Sequence, residues 1–517
     1  MSIGRTLAIA LQGLDGTLVE VEAELAAGLP AFSLVGLPDS SMLQARDRVR
    51  AAASQIGQPL LARRLTVNLI PAWMPKHGSG FDLAIAVAVL AAHGAIPAPD
   101  VARVVHLGEL GLDGRLRPVP GVLPAVLAAR AAGIDRVVVP HANAPEAQLV
   151  EGMEVFAAGD LAELARHYGA DTVLRNRAPA LPESDRAADG PDGDGGAREM
   201  RDFRDVIGQH HARHAAEVAA AGGHHLLLLG PPGSGKSMIA ARMPTILPDL
   251  QGEEALQVSA LHSLAGTFDA HEGLARRPPF ESPHHTASTA AVVGGGSGLA
   301  RPGAISRAHT GILFLDEAPE FPSRVLEALR EPLETGDVTL HRSRGVTRYP
   351  ARFQLVLAAN PCPCGRAWGK GDSCRCTPLQ RRRYLSRLSG PVLDRIDMRL
   401  VVGPVDPHIA LHGGDAEDSA TIAARVAAAR SRQRERFADH PWQLNSQTPG
   451  SALREDFAPA PADRRLLRHA VADGRLTLRG HDRVLRVAWT LADLDGAERP
   501  TAEHIGTALT LRGGDPT

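Results

Sequence analysis

HHLLLLGPPGSGKS, residues 224–237, is the stretch on which the reading of this chain turns. Leu226 to Leu229 is an apolar run long enough for a buried strand and too short for a buried helix. Gly230-Pro231-Pro232-Gly233-Ser234-Gly235-Lys236-Ser237 follows at once and matches G-x-x-x-x-G-K-[ST]. Glycines let such a loop curl so that successive N–H groups face phosphate oxygens. A helix opening near Lys236 adds its positive end. Lys236 brings a mobile charge to the outer phosphates, and Ser237 offers a hydroxyl to Mg²⁺. A glycine-rich turn before an ordinary helix would not need a strand in front; here strand, loop and helix come in the order phosphate binding requires.

Some eighty residues on, Gly311-Ile-Leu-Phe-Leu-Asp-Glu317 repeats the pattern of a buried strand, now ending in two acids. Asp316 is placed to hold Mg²⁺ through water, and Glu317 to orient or deprotonate an attacking water. A third strand, Phe353 to Ala359, ends in Asn360, whose amide can reach a γ-phosphate or that water. Asn-Pro is also a common strand-end turn. Then LSGPVLDRID (388–397) sets Arg395 between Asp394 and Asp397. Its guanidinium suits a bidentate grip on phosphate; an ion pair with one of those acids is the plainer use.

Length and composition bound the rest. A chain of 517 residues holds two to four domains. Aromatics are 3%, so the core is built from Leu, Val, Ile and Ala. Net charge is −2 and gives no global nucleic-acid signal; DNA contacts would come from local basic loops or a ring of subunits. MSIGRTLAIALQGLDG carries Asp15 early and lacks a signal-peptide core, and no apolar run spans a bilayer. The expected location is cytoplasmic. All four cysteines fall between Cys362 and Cys376, which points to metal rather than a disulfide framework. The pairs Cys362-Pro-Cys364 and Cys374-Arg-Cys376 would close a tetrahedral Zn²⁺ site, although one-residue spacing is tighter than the usual C-x₂-C. Four reduced thiols is the alternative.

Residues 1–172 read as an α/β domain, with strands at Ala31–Leu37, Arg64–Ile70, Val137–Pro140 and Val155–Ala158 and an apolar helix over Asp82–His93. Pro75-Lys-His-Gly-Ser-Gly-Phe-Asp82 resembles the proteolytic domain of Lon-type proteases. That family's nucleophilic serine falls where this chain has Gly80, with Ser79 one residue early, so a Lon-like fold without peptidase activity is expected. Residues 173–199, rich in Pro, Asp and Gly, read as a flexible linker. Residues 200–405 hold the phosphate-binding motifs, and 406–517 read as a helical lid. Two insertions look suited to DNA: the glycine-rich Ser282–Arg301 loop, and a hairpin over Val338–Arg352 turning near Gly345 and carrying Arg342, Arg344, Arg348 and Arg352. A solvated surface hairpin is the plainer reading of the second.

GPPGSGKS, ESPHHTAS, GGGSGLARPGAISRAHTGILFLDEAPEF, AANPCPCG and SGPVLDRID, in this order, resemble the magnesium-chelatase-like AAA+ proteins of the YifB/ComM type. The resemblance implies a Lon-like α/β domain, a P-loop core with a parallel sheet, and a helical lid. It implies ATP and Mg²⁺ as cofactors, Gln209 beside the adenine, Asn360 as sensor 1, Arg395 as a finger facing the neighbour's nucleotide, and Arg479 as sensor 2. Arg483 or Arg486, one turn on, are alternatives for that last role. It further implies a homo-hexameric motor extending branch migration on single-stranded and branched DNA in natural transformation, alongside recombination proteins. A chelatase-type ATPase driving metal insertion through partner subunits is the alternative.

Overall fold

The computed structural model describes residues 2–60, 63–174, 201–296, 300–342, 345–369, 373–388, 390–405, 408 and 416–513. Apart from its first two residues, the expected linker lies outside them, as does Arg344. The architecture is α/β with two large sheets. The first is mixed, in the order 31–35, 64–70, 15–26, 2–12, 105–106, 136–140, 154–158. Its centre is the long hairpin of Ser2–Gln12 with Asp15–Ala26, registered Leu7 opposite Glu20. This hairpin precedes the first strand expected from the sequence, at Ala31; VEVEAELA alternates and buries Val19, Val21, Ala23 and Leu25 on one face. The Asp82–His93 helix covers the sheet and is buried along nearly its whole length. Gly4 is what lets it sit so close: a Cβ there would lie 2.1 Å from Ala88 O.

The second sheet is parallel, in the order Phe280–Glu281, Ile312–Leu315, Gln354–Ala359, Leu226–Leu229, Met398–Val401. Its strands are short and apolar, as strands covered on both faces must be. The C-terminal part is helical: Ser419–Arg436, Gly450–Arg454, Arg465–Ala472, Leu478–Asp495 and Ala502–Arg512. These helices share one hydrophobic cluster with the sheet, in which Ile422, Val426, Leu485 and Ile505 meet Leu226, Leu228 and Ala219. Gln433 Nε2 donates to Ala221 O at 3.0 Å, and Arg425 pairs with Glu217 at 2.6 Å.

The two sheets are joined by packed contacts. Leu11 and Leu14 of the first hairpin pack on the core of the second sheet. Gln12 Nε2 donates to Val346 O at 2.7 Å. Buried Glu146 accepts from Leu123 N at 2.8 Å and from the hydroxyl of Ser263 on the Gly252–Ala265 helix. Among the described residues no helix is long and apolar enough to cross a membrane.

Candidate functional site

The parallel sheet delivers its chemistry at one edge, the carboxyl ends of neighbouring strands, where open α/β sheets bind ligands. Leu229 leads into the phosphate loop, Leu315 into Asp316 and Glu317, and Ala359 into Asn360; Leu229 pairs with Ala359 and Leu315 with Leu357 in register. A cavity of about 640 Å³ is lined by Pro232 to Met238, Ser282 to His285, Asp316, Glu317 and Asn360.

Inside it, Gly233 and Gly235 adopt positive φ, 76° and 88°, which turns the loop amides inward. The Lys236–Arg242 helix begins at the loop's end. Lys236 Nζ rests on Gly230 O at 2.8 Å, Pro231 O at 2.9 Å and Asn360 Oδ1 at 3.3 Å. Burial lowers the pKa of this ammonium, and the charges of Asp316 and Glu317 oppose that. The buried hydroxyl of Ser234 has no partner among the described residues. A cradle of amides, one cation and an unsatisfied hydroxyl fits a phosphate chain. Ser237 Oγ donates to Asp316 Oδ2 at 2.6 Å, so both groups expected at Mg²⁺ meet in one spot. Glu317 has left-handed backbone, φ 50°, and its N–H donates to Asp316 Oδ1 at 2.9 Å. Such strain in a non-glycine residue is held by its surroundings and recurs at functional sites.

Gln209 bolts the loop in place: its amide donates to Ser234 O at 3.0 Å and to Gly403 O at 2.7 Å. His284 and His285 were not read from the sequence as pocket residues. The ring centroids lie 4.1 Å apart with the planes tilted by 33°, and His285 Nδ1 lies 3.6 Å from Glu317 Oε2. Their one signal was position, just past a short edge strand. The stretch expected as a loop for DNA therefore begins in the nucleotide cavity. Beyond it lie a helix, Thr289–Val293, capped by Ser288, and a two-residue ribbon pairing Gly294–Gly295 with Arg301–Pro302.

Arg395 is elsewhere. It is paired with Glu334, not with Asp394 or Asp397, and Nη1 donates to Pro391 O at 2.5 Å. Asp397 is buried and taken by Arg483 at 2.5 Å and His224 at 3.7 Å; burial opposes its charge, but these partners hold the carboxyl well below the usual range. Arg483 also donates to Arg395 O at 2.9 Å, which ties the Arg395 segment to the C-terminal helices. Arg486 donates to Thr448 O. Arg479 is exposed, and its charge is felt at Arg395 together with that of Arg330. These arginines do not line the cavity of their own chain.

The hairpin pairs Asp337–Arg342 with Gly345–Pro350. Arg348 is spent on Asp337 at 2.5 Å, and Arg352 is exposed beyond the hairpin. The side chain of Arg342 and all of Arg344 lie outside the described residues.

The four cysteines converge. Sγ separations are 3.4 Å for Cys362–Cys364 and 3.6 Å for Cys374 to each of them, and all four sulfurs lie within 4.8 Å of one another. Tetrahedral zinc with Zn–S of about 2.3 Å sets sulfurs about 3.8 Å apart, whereas a disulfide needs about 2.0 Å. The donor set fits a soft divalent ion. Backbone N–H of Arg366, with the neighbouring thiols, holds Cys364 below the usual thiol range.

Ser79, at the turn before the Asp82–His93 helix, donates to Glu109. The chain has three lysines, 76, 236 and 370. Lys76 is buried with its ammonium on the carbonyls of Gly36, Leu69 and Pro71. Lys76 is therefore spent on backbone carbonyls, and the partner of Ser79 is a carboxylate, not a lysine.

Strand, loop, paired acids and strand-end amide at one sheet edge define a P-loop nucleoside triphosphatase. The chain matches three family models: magnesium chelatase, subunit ChlI, over residues 202–409; subunit ChlI of Mg-chelatase over 21–143; and magnesium chelatase, subunit ChlI C-terminal, over 416–512. It is 48% identical over 515 residues to an uncharacterized protein of Mycobacterium tuberculosis, covering 99% of each chain. It is 40% identical to YifB of Salmonella typhimurium, over 99% of this chain and 97% of that one. The competence protein ComM of Haemophilus influenzae is 38% identical, over 99% and 98%. A partial likeness, 29% over 174 residues, links 31% of the chain to 22% of the Lon protease of Mycolicibacterium smegmatis. The chain belongs to the magnesium-chelatase-like AAA+ ATPases of the YifB/ComM type, a family whose activity implies ATP and Mg²⁺.

Proposed function

We propose that the protein is a homo-hexameric, ATP-driven DNA motor that promotes branch migration during natural transformation and recombination. The observation that carries this reading is the separation of two half-sites on one chain. Lys236, Ser237, Asp316, Glu317 and Asn360 surround one cavity, while Arg395 and Arg479 lie outside it. A ring in which each protomer presents one half to the next completes the pocket. Arg395 then exchanges Glu334 for the neighbour's γ-phosphate, and Arg479 takes the sensor 2 role, since Arg483 and Arg486 are engaged within the chain. Ser237 and Asp316 hold Mg²⁺, Glu317 activates the water, Asn360 and Lys236 meet the γ-phosphate, and Gln209 stands beside the adenine. The cysteine cluster holds zinc.

Full-length similarity to a protein named for competence supports DNA as the substrate over metal insertion. In this reading residues 1–172 form a non-proteolytic Lon-like domain, 173–199 a linker, 200–405 the ATPase core with its Cys362–Cys376 insertion, and 406–517 the lid. Arg342 and Arg344 are the residues of the basic segment 338–352 proposed to contact DNA backbone phosphate, one contact each. Substituting both with alanine is expected to weaken DNA binding and to flatten the log–log salt dependence by about two, near 0.9 for each lost contact. An unaltered slope in a salt titration would retire those two contacts. The reading as a whole is tested by a branch-migration assay on a synthetic junction: the wild type should move the junction only with ATP, and Lys236→Ala should not move it at all. A wild-type protein inert on junctions in the presence of ATP would sink it.

A further inference from the structure

We infer that the four-cysteine loop braces the nucleotide pocket, so that the metal held by its thiolates sets how tightly Mg-ATP binds. This rests on the zinc reading above and goes beyond it. Three contacts carry it. Cys362, fully buried, follows Asn360 by two residues, and Asn360 Oδ1 is 3.3 Å from Lys236 Nζ. Next, Gly365 presses on the phosphate loop: a Cβ there would fall 2.6 Å from both Cγ and Cδ of Pro232, and its positive φ of 71° would strain any side chain. Gly365 N donates to Cys362 O at 2.9 Å, closing the turn that holds the first two thiols. Finally, Trp368, between the two cysteine pairs, lies so close to Gly403 that a Cβ there would meet its ring at 3.2 Å. Gly403 O accepts from Gln209, whose amide also holds Ser234 O. The thiol loop thus touches the phosphate loop from two sides, through Pro232 directly and through Gly403 and Gln209.

Nothing else in the loop's composition would hold it there. Between Cys364 and Cys374 the sequence is GRAWGKGDS, with one large apolar side chain, and the described residues from 361 to 377 form turns and no helix or strand. A segment without a core of its own gains its order from the cross-link, and metal binding to such a segment is folding free energy. Losing the ion frees Gly365 and Trp368 together, and with them the support behind Pro232 and Gly403.

The test uses the full-length protein as purified. Zinc is counted by mass spectrometry, and affinity for a non-hydrolysable ATP analogue is measured before and after stripping with phenanthroline, with magnesium held constant and circular dichroism following the fold. About one zinc per chain is expected. Stripping should weaken nucleotide binding roughly tenfold or more, and added zinc should restore it. Trp368→Ala should keep its zinc and still bind nucleotide more weakly, with Trp368→Phe recovering much of the loss. A protein that neither carries nor takes up zinc sinks the zinc reading and the brace together. Zinc present, with nucleotide affinity indifferent to its removal, overturns the brace and leaves the zinc reading standing. If stripping unfolds the chain, Trp368→Ala decides: unchanged affinity with zinc retained refutes the inference.

Discussion

Glu317→Gln should lower ATP turnover by roughly 10²- to 10⁴-fold, the range lost with a general base, and leave Mg-ATP binding within a few-fold of wild type. The amide keeps the shape and removes the proton acceptor. Nothing in the loop that grips phosphate depends on this side chain: Lys236 rests on Gly230 O, Pro231 O and Asn360, and Ser237 on Asp316. Glu317 instead projects, half exposed, into the cavity from a left-handed backbone that its own hydrogen bond to Asp316 helps to hold. Single-turnover hydrolysis and equilibrium binding of a labelled nucleotide separate the two effects. Turnover within threefold of wild type would remove Glu317 from the chemistry.

Arg395→Ala is expected to cost hydrolysis about 10³-fold or more, the scale on which arginine fingers act. Among the described residues this guanidinium pairs with the exposed Glu334 and donates to the backbone carbonyl of Pro391. Truncating it removes a pair whose arginine is only 12% exposed, together with the packing of its stem, and so costs more than the roughly 1 kcal/mol of a surface pair. The fold should survive, and a thermal melt close to that of the wild type would show that the lost activity is not lost structure. Arg395→Lys should recover little, because an ammonium cannot make the bidentate contact. Full hydrolysis by Arg395→Ala would place the arginine in the Glu334 ion pair alone.

The catalytic edge of the sheet was legible because it is written locally. Leu226–Leu229, Ile312–Leu315 and Gln354–Ala359 are each a short apolar run stopped by the residue that does the work, and a parallel sheet brings such stops to one edge. The helix over Asp82–His93 was equally local. Other features depend on distance. Glu334 lies sixty-one residues before the arginine it pairs with, and nothing near Arg395 signals it. His285 reaches Glu317 only because the Phe280–Glu281 strand lies beside Ile312–Leu315. The opening hairpin escaped notice for another reason: Ser2–Gln12 is apolar without alternation, since its far half is covered on both sides. The cysteine spacing disclosed a metal site but not its neighbours, because Gly365 against Pro232 joins segments far apart in the chain.

The claim on which the account depends is that each ATP pocket is shared between two protomers, and mixing two inactive variants tests it most directly. The Arg395→Ala protein retains Lys236 and Glu317; the Glu317→Gln protein retains Arg395. In randomly mixed rings about a quarter of the interfaces pair an intact pocket with an intact arginine, as head-to-tail assembly requires. Hydrolysis should therefore return on mixing, far above the sum of the two variants alone, and should follow the product of their fractions. If exchange of subunits is verified with labelled protein and the mixture stays as inactive as its parts, the pocket is not shared and the ring motor is contradicted.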